Sequence, residues 1–430
     1  MAKKWFTYCY YLAMKMFCLI GYSFFLLPLS AQTVTNPQYK DDFDYFWKTI
    51  NDIYCYWDKK QTDWNKVKTV YGPMMDTVAT KSSFILLLEK IINELYDHHA
   101  SLNTNTPESQ KLVPSGTDIW AEYVNNKPII TEIRAGSGAD MAGMKAGMEI
   151  IAINDIPVEK AILPFSPQCV RKPDNESKNY ALRQALAGKH SDNRKIAADY
   201  QSREQVFYPD HPVNLLKVNS DNTELLRSRI IDNNIGYILI NNALGNNDLI
   251  PVFDSALGEL SSTRAMIIDL RNTPGGGNTT VARSIIGRFI TKEGFYQKHE
   301  FPAEENQYGI KRSWLEIASP KKPVYTKPLV ILVDHWTGSV GEGIAIGFDA
   351  LKRARIIGTP MAGLNGAIYS YTMPYAQIGF SFPAEKLFHV NGTPREKFQP
   401  SINVDMAEKK NEDYILQEAV KYLRKLVNRD

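Results

Sequence analysis

Between Lys40 and Trp57, the residues Phe43, Phe46, Trp47, Ile50, Ile53 and Tyr54 recur three and four positions apart, with acids on the opposite side. That period predicts an amphipathic helix. Phe84, Leu87, Leu88, Ile91, Ile92 and Leu95 repeat the pattern behind Ser82-Ser83, which can cap a second helix ending near Asp97-His98-His99. From about residue 115 the pattern turns to short β-rich runs, Ile119–Tyr123 and Pro128–Ile133, then a short helix at Ala139–Ala142 and a strand within Gly147–Asp155. Polar sequence over 189–222 reads as irregular strands and connections. A third region then opens at Ile235–Ile240. In it, strand Ala265–Asp269 turns through glycines into helix Thr279–Ile290, and strand Pro328–Asp334 turns into helix Glu342–Lys352, followed by strand Arg355–Ile357. Strand–turn–helix units of this kind predict an α/β domain with ligands at the carboxyl ends of its strands. The fold class expected is multidomain α/β: a helical domain, a β domain and a C-terminal α/β domain.

Residues 1–31 follow a different rule. Lys3 and Lys4 precede an apolar stretch interrupted by Lys15, and Met16–Leu29 then runs without a charge to Leu29-Ser30-Ala31. A basic start, a short apolar core and a small residue at the boundary describe a secretory signal peptide, so the chain is expected to be exported and soluble after cleavage. The clean run is too short for a spanning helix of about 20 apolar residues. Removing the leader's three lysines turns the formal charge of +3, from 50 basic and 47 acidic residues, into balance. Nucleic-acid binding driven by bulk charge is therefore not expected. Only Cys55 and Cys169 remain of four cysteines, enough for one disulfide in an oxidising compartment but not for a zinc or redox motif.

Two turns can carry chemistry. Asp269-Leu270-Arg271-Asn272-Thr273-Pro274-Gly275-Gly276-Gly277 places three glycines between a strand and a helix, where backbone amides can approach a ligand closely. No Gly-Lys-Ser/Thr follows, so it is not a P-loop. Trp336-Thr337-Gly338-Ser339-Val340-Gly341-Glu342 presents a serine between small residues at a strand–helix junction, either as a helix N-cap or as a nucleophile beside the helix N-terminus.

In this order the two motifs resemble the C-terminal-processing peptidase and tricorn-type serine protease family. Residues 132–158 are similar to the PDZ segment of exported proteases, whose strand edge can capture an extended peptide. After the signal peptide at 1–31 and the N-terminal helical domain at 32–108 read from the pattern, the resemblance, which covers the chain from about residue 80 onward, implies a PDZ-like domain at 109–200. A connecting segment at 201–226 and a ClpP/crotonase-like catalytic domain at 227–430 complete it. It places Ser339 as nucleophile, with the backbone N–H groups of Gly276 and Val340 as the oxyanion hole. The Ser–Lys branch carries a lysine 25 residues past the serine, where this chain has Leu364, so a Ser–Lys dyad is not expected. The tricorn-like branch draws a histidine from the pattern that Leu95-Tyr96-Asp97-His98-His99 fits, which makes His99 the base. An imidazole suits that task. His335 is a rival. Glu396 is the expected orienting carboxylate, Glu385 the fallback, and Glu342 is read as structural. The implied function is a serine endopeptidase acting on a peptide or protein substrate without metal or organic cofactor. A catalytically inactive peptide-binding protein on the same fold is the alternative, favoured by Gly338, Gly341 and Ser401 where the family has other residues. An esterase is a weaker third reading.

Overall fold

Six strands make the central sheet, in the order Ile402–Asn403, Arg355–Gly358, Leu329–Val333, Ala265–Asp269, Ile235–Ile240 and Leu226–Ile231. All neighbours are parallel except the last pair, a hairpin. The computed structural model describes residues 36–215, 224–232, 234–406 and 413–428, and the expected leader at 1–31 lies outside them. Every residue of Ala265–Asp269 and Leu329–Val333 is buried, because the sheet is covered on both faces. Ile331 and Val333 pack with Ile285, Ile344 and Phe253 of three helices on one face. Val330 and Leu332 meet Ile415 and Leu423 of the C-terminal helix on the other.

This register places the two turns side by side. Asp269 pairs with Leu332, so both strands end at the same edge of the sheet. Beyond them Thr273 and Thr337 form a parallel bridge, and the Gly338 N–H donates to the Thr273 carbonyl over 3.2 Å. The second helix starts two residues earlier than its pattern predicts, at Val340, directly after Ser339.

A second sheet runs Ile119–Val124, Lys127–Ile133, Glu149–Ile153, Ile196–Asp199 and Glu204–Phe207. It extends past the expected edge at 200 because Glu204–Phe207 pairs with Ile196–Asp199. Its Ile119–Val124 strand lies against a helix, Asn175–Ala187, that the hydrophobic pattern did not reveal. That helix is buried along most of its length, so it has no clean polar face to read.

The N-terminal helices Asn36–Ile53, Trp64–Tyr71 and Lys81–Asn93 are present, but they are not closed off as the expected domain. Ser101 and Leu102 pair with Ser381 and Phe380 of the long strand Gly379–Phe388 in a third sheet. The Phe46 ring packs on Phe380 with centroids 4.9 Å apart. Residues from Asn36 onward thus form one compact unit. Cys55 and Cys169 are buried and unbonded, so the disulfide considered from the sequence is not formed. No helix among the described residues is long and apolar enough to cross a membrane.

Candidate active site

Ser339 sits at φ +52° and ψ −110°, a backbone conformation unusual for a residue with a side chain. Strain of this kind costs about 1–3 kcal/mol and persists only where the surroundings enforce it. Here Glu342 enforces it. One carboxylate oxygen accepts the Ser339 N–H at 2.8 Å, and the other accepts the Gly363 N–H at 3.0 Å. The side chain is fully buried, and burial raises its pKa to about 7 against the lowering pull of Arg395.

The glycine turn closes over the serine. A Cβ built on Gly276, whose φ is +65°, would stand 2.5 Å from Ser339 Cβ and 3.0 Å from its Oγ. Gly338 and Gly341 face the same turn, where a methyl would approach the Pro274 carbonyl to 2.7 Å and the Thr273 hydroxyl to 2.6 Å. Both glycines therefore serve the fit of the two turns, and they are no sign of a decayed site. Of the two expected oxyanion donors, Gly276 already gives its N–H to the Thr273 carbonyl at 3.2 Å. Val340, the first residue of the helix, has no acceptor for its N–H among the hydrogen bonds of the described residues. First-turn amides lack intrahelical partners, so this donor stands ready.

His99 reaches this region from the N-terminal segment. Its Nδ1 lies 2.6 Å from the carbonyl of Asn365, which fixes the proton on Nδ1 and leaves Nε2 as the basic nitrogen. Burial, then the charge of Arg395, lowers its pKa to about 4, against the raising influence of Asn365, Asp97 and Gly366. Asp97 holds the arrangement together. Its carboxylate accepts the His99 backbone N–H at 2.9 Å, the Asn365 side-chain amide at 2.9 Å and the Tyr54 hydroxyl at 2.7 Å. The loop 363–366 thus touches both partners: Gly363 is tied to Glu342, and Asn365 holds His99. Leu364 fills the gap with its Cδ1 3.3 Å from where a Gly338 Cβ would lie. No hydrogen bond joins His99 to Ser339 in the described structure.

Among the described residues no hydrogen bond joins either expected carboxylate to the imidazole. Glu396 meets Lys59 Nζ at 2.8 Å and the Tyr56 hydroxyl at 3.4 Å, because the N-terminal segment presents a cation to it. Glu385 is engaged by His299 Nδ1 at 2.9 Å and by the Tyr369 hydroxyl. The groups that hydrogen-bond His99 are the Asn365 carbonyl at Nδ1 and Asp97 at the backbone N–H. His335 is also occupied: its Nδ1 lies 2.5 Å from Glu132 of the second sheet, and its ring stacks on Trp120 with centroids 4.6 Å apart. Asp97 was legible inside the pattern that pointed to His99. Asn365 and Arg395 carried no signal of their own, since both act through chain segments that only the fold brings together.

The strand Ile119–Val124 of the second sheet is lined by the helix Asn175–Ala187. The Tyr123 N–H donates to Asn179 Oδ1 at 2.8 Å, and Arg183 Nε donates to the Ala121 carbonyl at 3.3 Å. Arg183 also stacks on Trp120, 4.2 Å from the ring centroid.

Residues 234–404 match peptidase family S41, and residues 36–93 match the tricorn protease C1 domain. The chain is 25% identical over 240 residues to carboxyl-terminal-processing peptidase 1, chloroplastic, of Arabidopsis thaliana, covering 54% of this chain and 43% of that relative's length. Its fold is similar to mature CPAF complexed with lactacystin, with TM-score 0.60, 15% identity, and coverage of 92% of this chain and 99% of that one. It is also similar to the photosystem II D1 C-terminal processing protease, with TM-score 0.55, 15% identity, and coverage of 90% and 97%. Over residues 234–404 the chain is thus similar to peptidase family S41, and its aligned stretch spans less than half the length of the chloroplastic relative.

Proposed function

We propose that the protein is an exported serine endopeptidase with Ser339 as nucleophile and His99 as general base. One observation carries the reading. Ser339 is held at positive φ at the mouth of a buried helix, between the Gly276 turn and the loop whose Asn365 carbonyl fixes the His99 tautomer. His99 Nε2 takes the hydroxyl proton as Ser339 Oγ bonds to the peptide carbonyl carbon, and the oxyanion forms against the Val340 N–H. Gly276 joins as second donor when its N–H exchanges the Thr273 carbonyl for the oxyanion. The imidazolium then gives its proton to the departing amine nitrogen as the C–N bond breaks, leaving an acyl-enzyme. Water, activated by the same nitrogen, releases the acid. Hydrogen bonds between base and nucleophile often tighten only when substrate is bound, which accommodates the unbonded pair seen here. Asp97 faces the positive charge from behind, and Glu396 contributes only charge to the cavity beside Asn365.

The PDZ-like sheet, in the same reading, docks the peptide along Ile119–Val124 once Asn179 and Arg183 release that edge. The test of the catalytic assignment is labelling by a fluorophosphonate probe. Wild type is expected to be labelled at Ser339, and both Ser339→Ala and His99→Gln to lose labelling and peptide cleavage together. An unlabelled wild type, or full cleavage by Ser339→Ala, defeats the assignment. A non-catalytic peptide-binding protein is the second reading, favoured by the missing His99–Ser339 bond. It predicts peptide binding unchanged in Ser339→Ala and no cleavage on long incubation.

A further inference from the structure

We infer that Arg395 is a positioning residue for the Ser339–His99 pair, a single guanidinium that holds the base-bearing loop and faces the carboxylate that fixes the nucleophile. The inference rests on the reading of Ser339 and His99 given above.

The geometry is specific. Arg395 is buried, 2% exposed, on a short turn that Pro394 begins. Its Nη2 donates to the carbonyl of Leu364 at 3.0 Å and to that of Gly366 at 2.6 Å. These two residues flank Asn365, whose carbonyl holds His99 Nδ1 at 2.6 Å. The loop has glycines at φ +67° and +47° at its two ends, Gly363 and Gly366, so its backbone is intrinsically free to turn elsewhere. Two carbonyls pointed inward stay buried only if a donor meets them. Arg395 meets both with one nitrogen.

The same Nη2 lies 3.7 Å from Glu342 Oε2, the atom that accepts the Ser339 N–H. Glu342 is fully buried, and an uncompensated carboxylate there would be costly. Arg395 therefore acts on both partners, by hydrogen bonding on the His99 side and by charge on the Ser339 side. The charged and titratable groups around His99 are few. Asp97 lies on its own turn, backed by Tyr54. Arg395 comes from the turn at 395–397, where Glu396 is covered by Lys59 and Tyr56. Glu342 stands across the loop. Arg395 is the cation among them whose charge opposes protonation of His99.

Charge and hydrogen bonding are separable by two substitutions. Arg395→Met removes both, and Arg395→Lys keeps the charge on a shorter, differently shaped side chain whose ammonium does not reach the place Nη2 holds between the two carbonyls. We would follow the fluorophosphonate labelling rate and, independently, the His99 imidazole by 15N-histidine NMR across pH in the full chain, with His99→Gln to assign the signal. In wild type the His99 signal should show the proton on Nδ1 and titrate well below an ordinary histidine. In Arg395→Met labelling should fall at least tenfold and the His99 titration should move to higher pH. In Arg395→Lys labelling should fall while the titration stays low. Should Arg395→Met not fold, the Lys variant carries the test through the labelling rate and the Nδ1 tautomer. A purely structural role would lower the unfolding temperature and leave the titration in place, and that outcome overturns the inference. So does labelling within threefold of wild type in the Met variant. If wild type itself is unlabelled, the catalytic reading fails, and the His99 titration alone decides whether Arg395 governs the ring.

Discussion

The contact between Gly276 and Ser339 gives the sharpest prediction. Gly276→Ala introduces a Cβ 2.5 Å from Ser339 Cβ, where ordinary contact begins at 3.4 Å, so the two turns must part by roughly 0.9 Å. The backbone at φ +65° adds the penalty of a left-handed side-chain residue, about 1–2 kcal/mol. Overpacking a close contact contributes about 1–3 kcal/mol more, giving a total of about 2–5 kcal/mol. A displacement near 1 Å at reacting atoms costs on the order of 100-fold in rate. The assay pairs Ser339 labelling kinetics with denaturant unfolding. Gly309→Ala is the control, because Gly309 has φ +72° and no atom within 4 Å of its built Cβ. The control should lose only the backbone penalty of about 1–2 kcal/mol and keep its labelling rate. If Gly276→Ala labels within threefold of wild type, or destabilises no more than Gly309→Ala, the turn does not press on the serine and the argument is refuted.

Other outcomes follow from the same structure. The His99 pKa near 4 lies below the ordinary 6.5, so the base stays neutral and the acid limb of kcat/KM should fall near pH 4 rather than above 6. The unfolded chain takes up that proton first, so stability present above pH 6.5 should drain away toward pH 4, an effect that His99→Gln removes in pH-dependent unfolding curves. Glu342, raised to about 7, acts in the opposite direction between 4.5 and 7, which is why the variant and not the raw curve is decisive. Glu132→Ala should cost about 3–5 kcal/mol in denaturant unfolding, since it strips His335 and Thr359 of a buried partner. A loss under about 1 kcal/mol contradicts a structural role for that pair. Burial raises the Cys55 thiol and pushes Cys169 up to about 12, so peptide mapping after iodoacetamide should find both unmodified in native protein and modified once it is unfolded.

The parallel core was legible because its two central strands, Ala265–Asp269 and Leu329–Val333, are buried at every position and bounded by turn residues, so hydropathy alone marks them. Ser339 and the glycine turn were legible because each motif is contiguous in sequence. His99 was reached only through a resemblance, since 240 residues separate it from Ser339. Glu396 was legible as a candidate, whereas its buried neighbour Arg395 was not. Adjacent residues on a tight turn point in different directions: Arg395 enters the core while Glu396 turns to Lys59. The role of the Asn365 carbonyl could not be read at all, because every residue carries one and only φ and ψ decide where it points. The helix Asn175–Ala187 was missed for a related reason. Its Asp174–Ser177 capping box is a local signal, but its buried polar residues mask the amphipathic period.

The way the base is held by the far end of the chain also sets a schedule. During synthesis His99 emerges about 300 residues before Arg395, and at ~5–20 residues per second that interval is about 15–60 s. Until Asn365 has been made, no carbonyl stands ready to set the His99 tautomer, and until Arg395 follows, the loop carrying that carbonyl is unpinned. In the proposed mechanism a nascent chain therefore carries its base well before its nucleophile, and the contacts that hold His99 form only after Arg395 has been made.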